Sequence, residues 1–211
     1  KLSVRVVGVT GSNGKTTVKE MLATVLASAG ETLFTRGNLN NDIGVPLTLL
    51  RLRPDHQYAV IEMGANHPGE IAYTSAYAKA EISVITNVGR AHIAGFGDLQ
   101  GVAKTKGEII ENLSVDGVAV LNADDEFFPY WQQVAGTRQV LSFGLGANAK
   151  FRAEKIVSEL TDQGYQTSFE MHASQAEPLQ CCLNLAGEHN VRNALAVMAV
   201  GTHFGISLER I

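Results

Sequence analysis

The stretch "VRVVGVTGSNGKTTVKEM" (residues 4–21) decides the fold. Residues 4–10 form a nearly unbroken apolar, β-branched run, the pattern of a strand buried on both faces. The run stops at Gly11. After Gly14, Val18, Met21, Leu22, Val25, Leu26 and Ala29 recur at helical spacing. Strand, glycine-rich turn and helix make the order a phosphate site requires. The turn exposes backbone N–H groups, and the helix start adds partial positive charge. Lys15 is placed to reach β- and γ-phosphates, and the Thr16 hydroxyl suits Mg²⁺. The loop is shorter than the common G-x-x-x-x-G-K-[ST] form, whose first glycine would fall on Val9. Gly8, Gly11 and Gly14 also fail the G-x-G-x-x-G dinucleotide pattern. The Lys-Thr pair favours a nucleoside triphosphate over NAD.

Outward from this loop, "YAVIEMG" (58–64), "ISVITNVG" (82–89) and "GVAVLNADD" (117–125) are further β-branched runs ending in Gly, Asn or Asp. Helical patterns fit near 69–79 and 100–113. This alternation predicts an α/β fold, a mostly parallel P-loop-type sheet flanked by helices. From about residue 138 the texture changes. "RQVLSFG", "FRAEKIVSEL", "YQTSFEMHA" and "LQCCLNLAG" read as consecutive strands, a small antiparallel sub-sheet near 138–186. "EHNVRNALAVMAVGTHFG" (188–205) returns to a helical pattern.

The composition narrows the partners. Of 211 residues, 45% are hydrophobic and 18% charged, as in a chain with a real core. No apolar run approaches the ~18 residues of a membrane span, and the N-terminus shows no signal-peptide pattern. The net charge of −4 and the scattered Lys and Arg argue against nucleic acid. Cys181 and Cys182 are adjacent, so in a strand they point to opposite faces and do not pair with each other. No N-K-x-D base reader of GTPases and no arginine-rich kinase lid is present. Glu62 ends an apolar strand at the edge where parallel sheets carry ligands, a position suited to Mg²⁺. His92 follows another strand. On residue type alone, Glu62 is equally a solvated side chain, a lone histidine such as His92 is more often structural, and Asn38, Asn41 and Asp42 read nearly as well as a polar turn before Pro46.

"TGSNGKTT", "GNLNNDIGVP", "IEMGANHPGEI", "TNVGRAHIAGFG", "VAKTKGEI", "NADD" and "GEHNVRNALA" occur in this order. Together they resemble the ATP-dependent Mur ligases of bacterial cell-wall synthesis. "GNLNNDIGVP" and "MGANHPGEI" resemble the branch that joins D-alanyl-D-alanine to UDP-N-acetylmuramoyl-tripeptide. The resemblance implies that Gly11, Ser12, Asn13, Gly14, Lys15, Thr16 and Thr17 wrap the ATP phosphates. It implies Mg²⁺ on Thr16 and Glu62, with His92 helping to hold a second ion. It places a carbamylated, metal-bridging lysine at Lys106 rather than Lys104. Lys15, His92 and Lys106 become the catalytic set, Asn190 and Asn193 the adenine contacts, and Asn38, Asn41 and Asp42 neighbours of the nucleotide-sugar substrate.

The implied chemistry is carboxylate activation through an acyl phosphate, in the bacterial cytoplasm. The family resembles three-domain proteins, so residues 1–211 read as one central ATPase domain, without the N-terminal UDP-binding and C-terminal domains. Two alternatives stay open. One is a nucleotide-binding interaction module without chemistry. The other is a ligase of the folate or cyanophycin type.

Overall fold

A computed structural model describes residues 4–89, 93–162, 164–173 and 177–211. The elements are β1 (Arg5–Thr10), α1 (Lys15–Ala27), β2 (Thr32–Phe34), α2 (Gly44–Leu49), β3 (Tyr58–Glu62), α3 (Glu70–Ala78), β4 (Ile82–Ile85), α4 (Ile93–Phe96), α5 (Leu99–Glu111), β5 (Val118–Asn122), α6 (Phe128–Ala135), β6 (Gln139–Gly144), β7 (Phe151–Thr161), β8 (Gly164–Ala173), β9 (Leu179–Leu183) and α7 (Glu188–His203). One sheet of nine strands connects them in the order β2-β3-β1-β4-β5-β6-β7-β8-β9. The strands from β2 to β7 pair in parallel, and β8 and β9 add in antiparallel sense.

β1 lies inside the sheet, with Val7 opposite Val60 on one side and Ile82 on the other. Successive strand residues face opposite ways, so each strand feeds two apolar layers. Val7, Val9, Val84 and Val120 pack beneath α1 and α7, against Val18, Leu22, Leu26, Val191 and Leu195. Val6, Ile61, Ile85 and Leu121 pack beneath α3, α5 and α6, against Ile71, Ile109, Ile110 and Trp131. Trp131 is fully buried and donates its indole N–H to Ala103 O at 3.0 Å. Truncating such an anchor to alanine costs about 3–5 kcal/mol.

The expected α/β architecture is present, and four elements have no counterpart in the sequence pattern, among them the short α4. β2 is only three residues long, α2 opens on Gly-Val-Pro, and α6 carries Pro129 in its first turn. The antiparallel part also begins later than expected. Residues 139–144 join the parallel set beside β5, because α6 supplies the crossover that a parallel neighbour needs. The antiparallel extension proper is β7–β9. Among the described residues, no helix is long and apolar enough to cross a membrane.

Candidate functional site

All the parallel strands point the same way, so their C-terminal ends gather along one edge of the sheet, the usual place for ligands. The loop after β1 lies on this edge. Gly11 adopts φ +148°, and a Cβ there would sit 1.8 Å from the Thr86 hydroxyl oxygen. Gly14, at φ +82°, caps α1 and packs on the buried Asn193, leaving no room for a side chain. The end of β4 fixes the loop from below. Asn87 accepts from Asn13 N–H at 3.0 Å through its Oδ1 and donates to Asn13 O at 3.1 Å through its Nδ2. Thr86 donates to Asn13 O at 2.6 Å, and Ser12 Oγ accepts from Gly89 N–H at 2.8 Å. The start of α1 has no side-chain cap, so its first N–H groups are free to meet an anion.

Lys15 curls over the loop, its Nζ donating to Gly11 O at 2.7 Å and Ser12 O at 3.3 Å. Burial lowers its pKa, and Glu62 pulls it partly back. Glu62 is 1% exposed. Its carboxylate accepts from the Thr16 hydroxyl at 3.1 Å and from Asn40 Nδ2 at 2.8 Å, and its N–H donates to Thr35 Oγ1. Among the described residues it has no ion-pair partner within salt-bridge distance. A buried carboxylate beside a hydroxyl, with only neutral groups bonded to it, is an oxygen donor set of the kind that hard divalent cations take.

Lys106 reaches the same place from α5, whose start is fixed by Asp98 accepting from Gly101 N–H at 2.7 Å. It lines a cavity of about 160 Å³ together with Lys15, Asn40, Asn41 and Asn66. Burial, reinforced by repulsion from Lys15, pushes its ammonium pKa down to about 7. Lys104 is exposed and lines a different hollow, against Phe127 and Tyr130. His92 lies outside the described residues.

A second cavity, about 530 Å³, opens on the other side of the loop. Asn13, Gly14, Asp125, Arg192 and Asn193 line it. Asn193 donates to Asn190 Oδ1 at 3.4 Å, and Asn190 donates to Ala186 O at 2.9 Å. Asn190 therefore supports Asn193 rather than lining the cavity itself. Asp124 ties three segments together, accepting from Leu145 N–H, Gly146 N–H and Arg192 Nε at 2.7, 2.9 and 3.0 Å. Asp125 accepts from Val88 N–H at 2.7 Å, while burial raises its pKa.

The structure thus brings Gly11, Ser12, Asn13, Gly14, Lys15, Thr16, Glu62 and Lys106 together, with Asn193 and Thr17 adjoining. Asn38 and Asp42 are exposed. Asn41 accepts from Gly44 N–H at 2.8 Å, at the start of α2. Sequence reasoning missed Asn40, which touches Glu62, and also Asn87, Asp124, Asp125 and Arg192. For Asn87, Asp124, Asp125 and Arg192 the signal is position, since each follows a strand end or faces one from α7; Asn40 carries no such signal.

The Mur ligase middle domain family matches residues 9–201. The UDP-N-acetylmuramoyl-tripeptide–D-alanyl-D-alanine ligase of Escherichia coli K12 is 47% identical over the whole chain, which covers 46% of that protein. The structure of MurF from Acinetobacter baumannii superposes with a TM-score of 0.91 at 43% identity, over 99% of this chain and 44% of that one. The Thermotoga maritima MurF ligase, solved in complex with ADP, gives 0.85 at 30% identity, over 98% and 47%. The chain spans about half the length of these relatives.

Proposed function

The chain belongs to the Mur ligase middle domain family, and on that premise we propose that it is the ATP-handling part of a cytoplasmic ligase of peptidoglycan precursors. That ligase joins D-alanyl-D-alanine to UDP-N-acetylmuramoyl-tripeptide, the reaction named for the E. coli relative. The observation that carries the reading is the Gly11-to-Lys15 turn on an uncapped helix start, facing both Glu62 and Lys106. The ADP bound to the Thermotoga relative supports a nucleotide as its ligand.

In this reading the loop N–H groups and Lys15 cradle the β- and γ-phosphates. The substrate carboxylate attacks the γ-phosphorus, and the bond to the β-phosphate oxygen breaks. The products are an acyl phosphate and ADP. The amine of D-alanyl-D-alanine then attacks the acyl carbon, loses a proton and displaces phosphate. Two anions must meet in the first step, so Lys15 lowers the barrier by offsetting their repulsion. Thr16 and Glu62 fit Mg²⁺ and would hold it; when bound it supplies further charge neutralisation at the phosphates. His92 stays in the proposed metal set. Asn193 and Arg192 border the nucleoside side, and Asn38, Asn41 and Asp42 remain the proposed sugar-nucleotide contacts.

Lys106 fits a carbamate. A half-buried amine with a pKa near 7 is partly neutral at physiological pH and adds to CO₂ with loss of one proton. The product is an anion, which replaces repulsion of Lys15 by attraction.

Calorimetry tests the loop. Lys15→Ala is expected to weaken Mg-ATP binding by about two orders of magnitude, the scale of a lost charge-assisted phosphate contact. Lys104→Ala is expected to leave it unchanged. Equal effects would remove the loop assignment.

A further inference from the structure

We infer that the free edge of β2 carries a second anion site, built for a phosphoryl group. The inference does not rest on the proposed function. β2 is the outermost strand, separated from β1 by β3. Its edge walls a cavity of about 480 Å³ that also takes in Arg36, Arg51, Arg53 and His56.

The charges are not balanced from within. Arg53 is committed, bonding Glu31 at 2.9 Å and Asp55 at 3.0 and 3.1 Å, which also occupies the nearby acids. Among the described residues, the side chains of Arg36 and Arg51 have no hydrogen-bond or ion-pair partner. Two unpaired guanidiniums in a chain of net charge −4 are a local excess, not a reflection of overall charge. Burial, with repulsion from Arg36, lowers the pKa of Arg51, so an anion between them would relieve both.

Neutral donors complete the lining. His56 is buried, and its Nδ1 accepts from Arg53 N–H at 2.9 Å, so in its neutral form Nε2 carries the proton. On either side of β2, Glu31 O and Thr35 N–H bond toward β3. Parallel strands alternate their bonding, so the N–H groups of Thr32 and Phe34 point to the free edge. Guanidinium forks, an imidazole N–H and backbone N–H groups all donate, and tetrahedral phosphate oxygens accept. Arg53 is shared by Glu31 and Asp55, so the three arginines exceed these two acids by one charge; the number and spread of the donors, rather than the charge, favour a tetrahedral phosphoryl group over a planar carboxylate. Arginines that merely guard a sheet edge against pairing stand in solvent; Arg51 is half-buried and His56 buried, against the same cavity.

The test is a titration at low ionic strength, followed by backbone amide shifts and calorimetry. Inorganic phosphate and UDP are the two probes, and Lys15→Ala protein removes the contribution of the phosphate loop. Saturable binding should persist in that background, with shifts at residues 32–34 and 51–56. Arg36→Gln and Arg51→Gln should each weaken it roughly tenfold. Arg36 is exposed, so its variant folds even if Arg51→Gln does not. Equal affinity for the two probes assigns free phosphate, and tighter UDP assigns a nucleotide-linked diphosphate. No saturable binding by either probe, or binding indifferent to both arginine variants, overturns the site.

Discussion

The parallel strands and the β7–β9 extension belong to one sheet but spend their polar residues differently. β4 and β5 are buried at every position. The polar groups with which they line the larger cavity beside the loop come at the end or just beyond, as Thr86, Asn87, Asn122 and Asp124, and β3 ends likewise on Glu62. In β7–β9 polar residues run along the strands and pair across them. Ser158 bonds Thr167 at 2.8 Å, and Lys155 bonds Glu170 at 2.9 Å. A strand covered on both faces tolerates a polar group where it leaves the sheet or where the group is bonded internally, as Ser83 of β4 is to Ile109 O at 3.1 Å. Parallel strands leave it on the same side, so those groups accumulate into one site. Antiparallel strands leave it on alternate sides, so their polar groups gather along the strands instead, as Glu154, Glu170 and His172 do across β7 and β8.

The comparison breaks first at Gly11. Gly11→Ala needs φ +148° for an L side chain and drives its Cβ into Thr86. Nucleotide affinity should fall by at least ~100-fold, with a stability loss of about 1–3 kcal/mol from backbone strain. A calorimetric titration and a thermal melt measure both, and an unimpaired variant would show that the loop is not held against β4 as described.

A smaller effect is expected at Lys106. Its folded-state pKa is about 7 against an ordinary 10.5, so between those values the unfolded chain binds more protons. Stability contributed through this group therefore rises with pH from about 7 to 10.5, and the penalty is full below 7. In CO₂-free buffer, Lys106→Met should be more stable than the parent below pH 7, by about 1–3 kcal/mol after allowing for solvent relaxation. The difference should vanish toward pH 10.5. Denaturant midpoints across pH measure it, and a constant difference would mean that the amine is not desolvated.

Much of this division was legible in the sequence. The strands of the parallel half are continuous apolar runs, and the turn at residues 11–15 announces its ligand by residue type. Glu62 was found because it ends such a run. What stayed hidden depends on contacts across long separations or on short elements. Three residues of β2 are too few to show a period, and Pro46 in "GVPLTL" reads as a turn although proline fits the first turn of a helix. Asp124 meets Arg192 across 68 positions. Asn40, rather than its neighbours, reaches Glu62 because of the backbone path before α2, which no spacing rule specifies.

In the proposed function, nucleotide phosphates rest on the turn between β1 and α1, and the antiparallel extension takes no part. Backbone amide shifts of the isotope-labelled chain, titrated with Mg-ATP, test it directly. The largest changes are expected at residues 11–17, smaller ones at 86–89 and 190–193, and none along 154–170. Changes centred on 154–170, or a turn that does not respond, would contradict it.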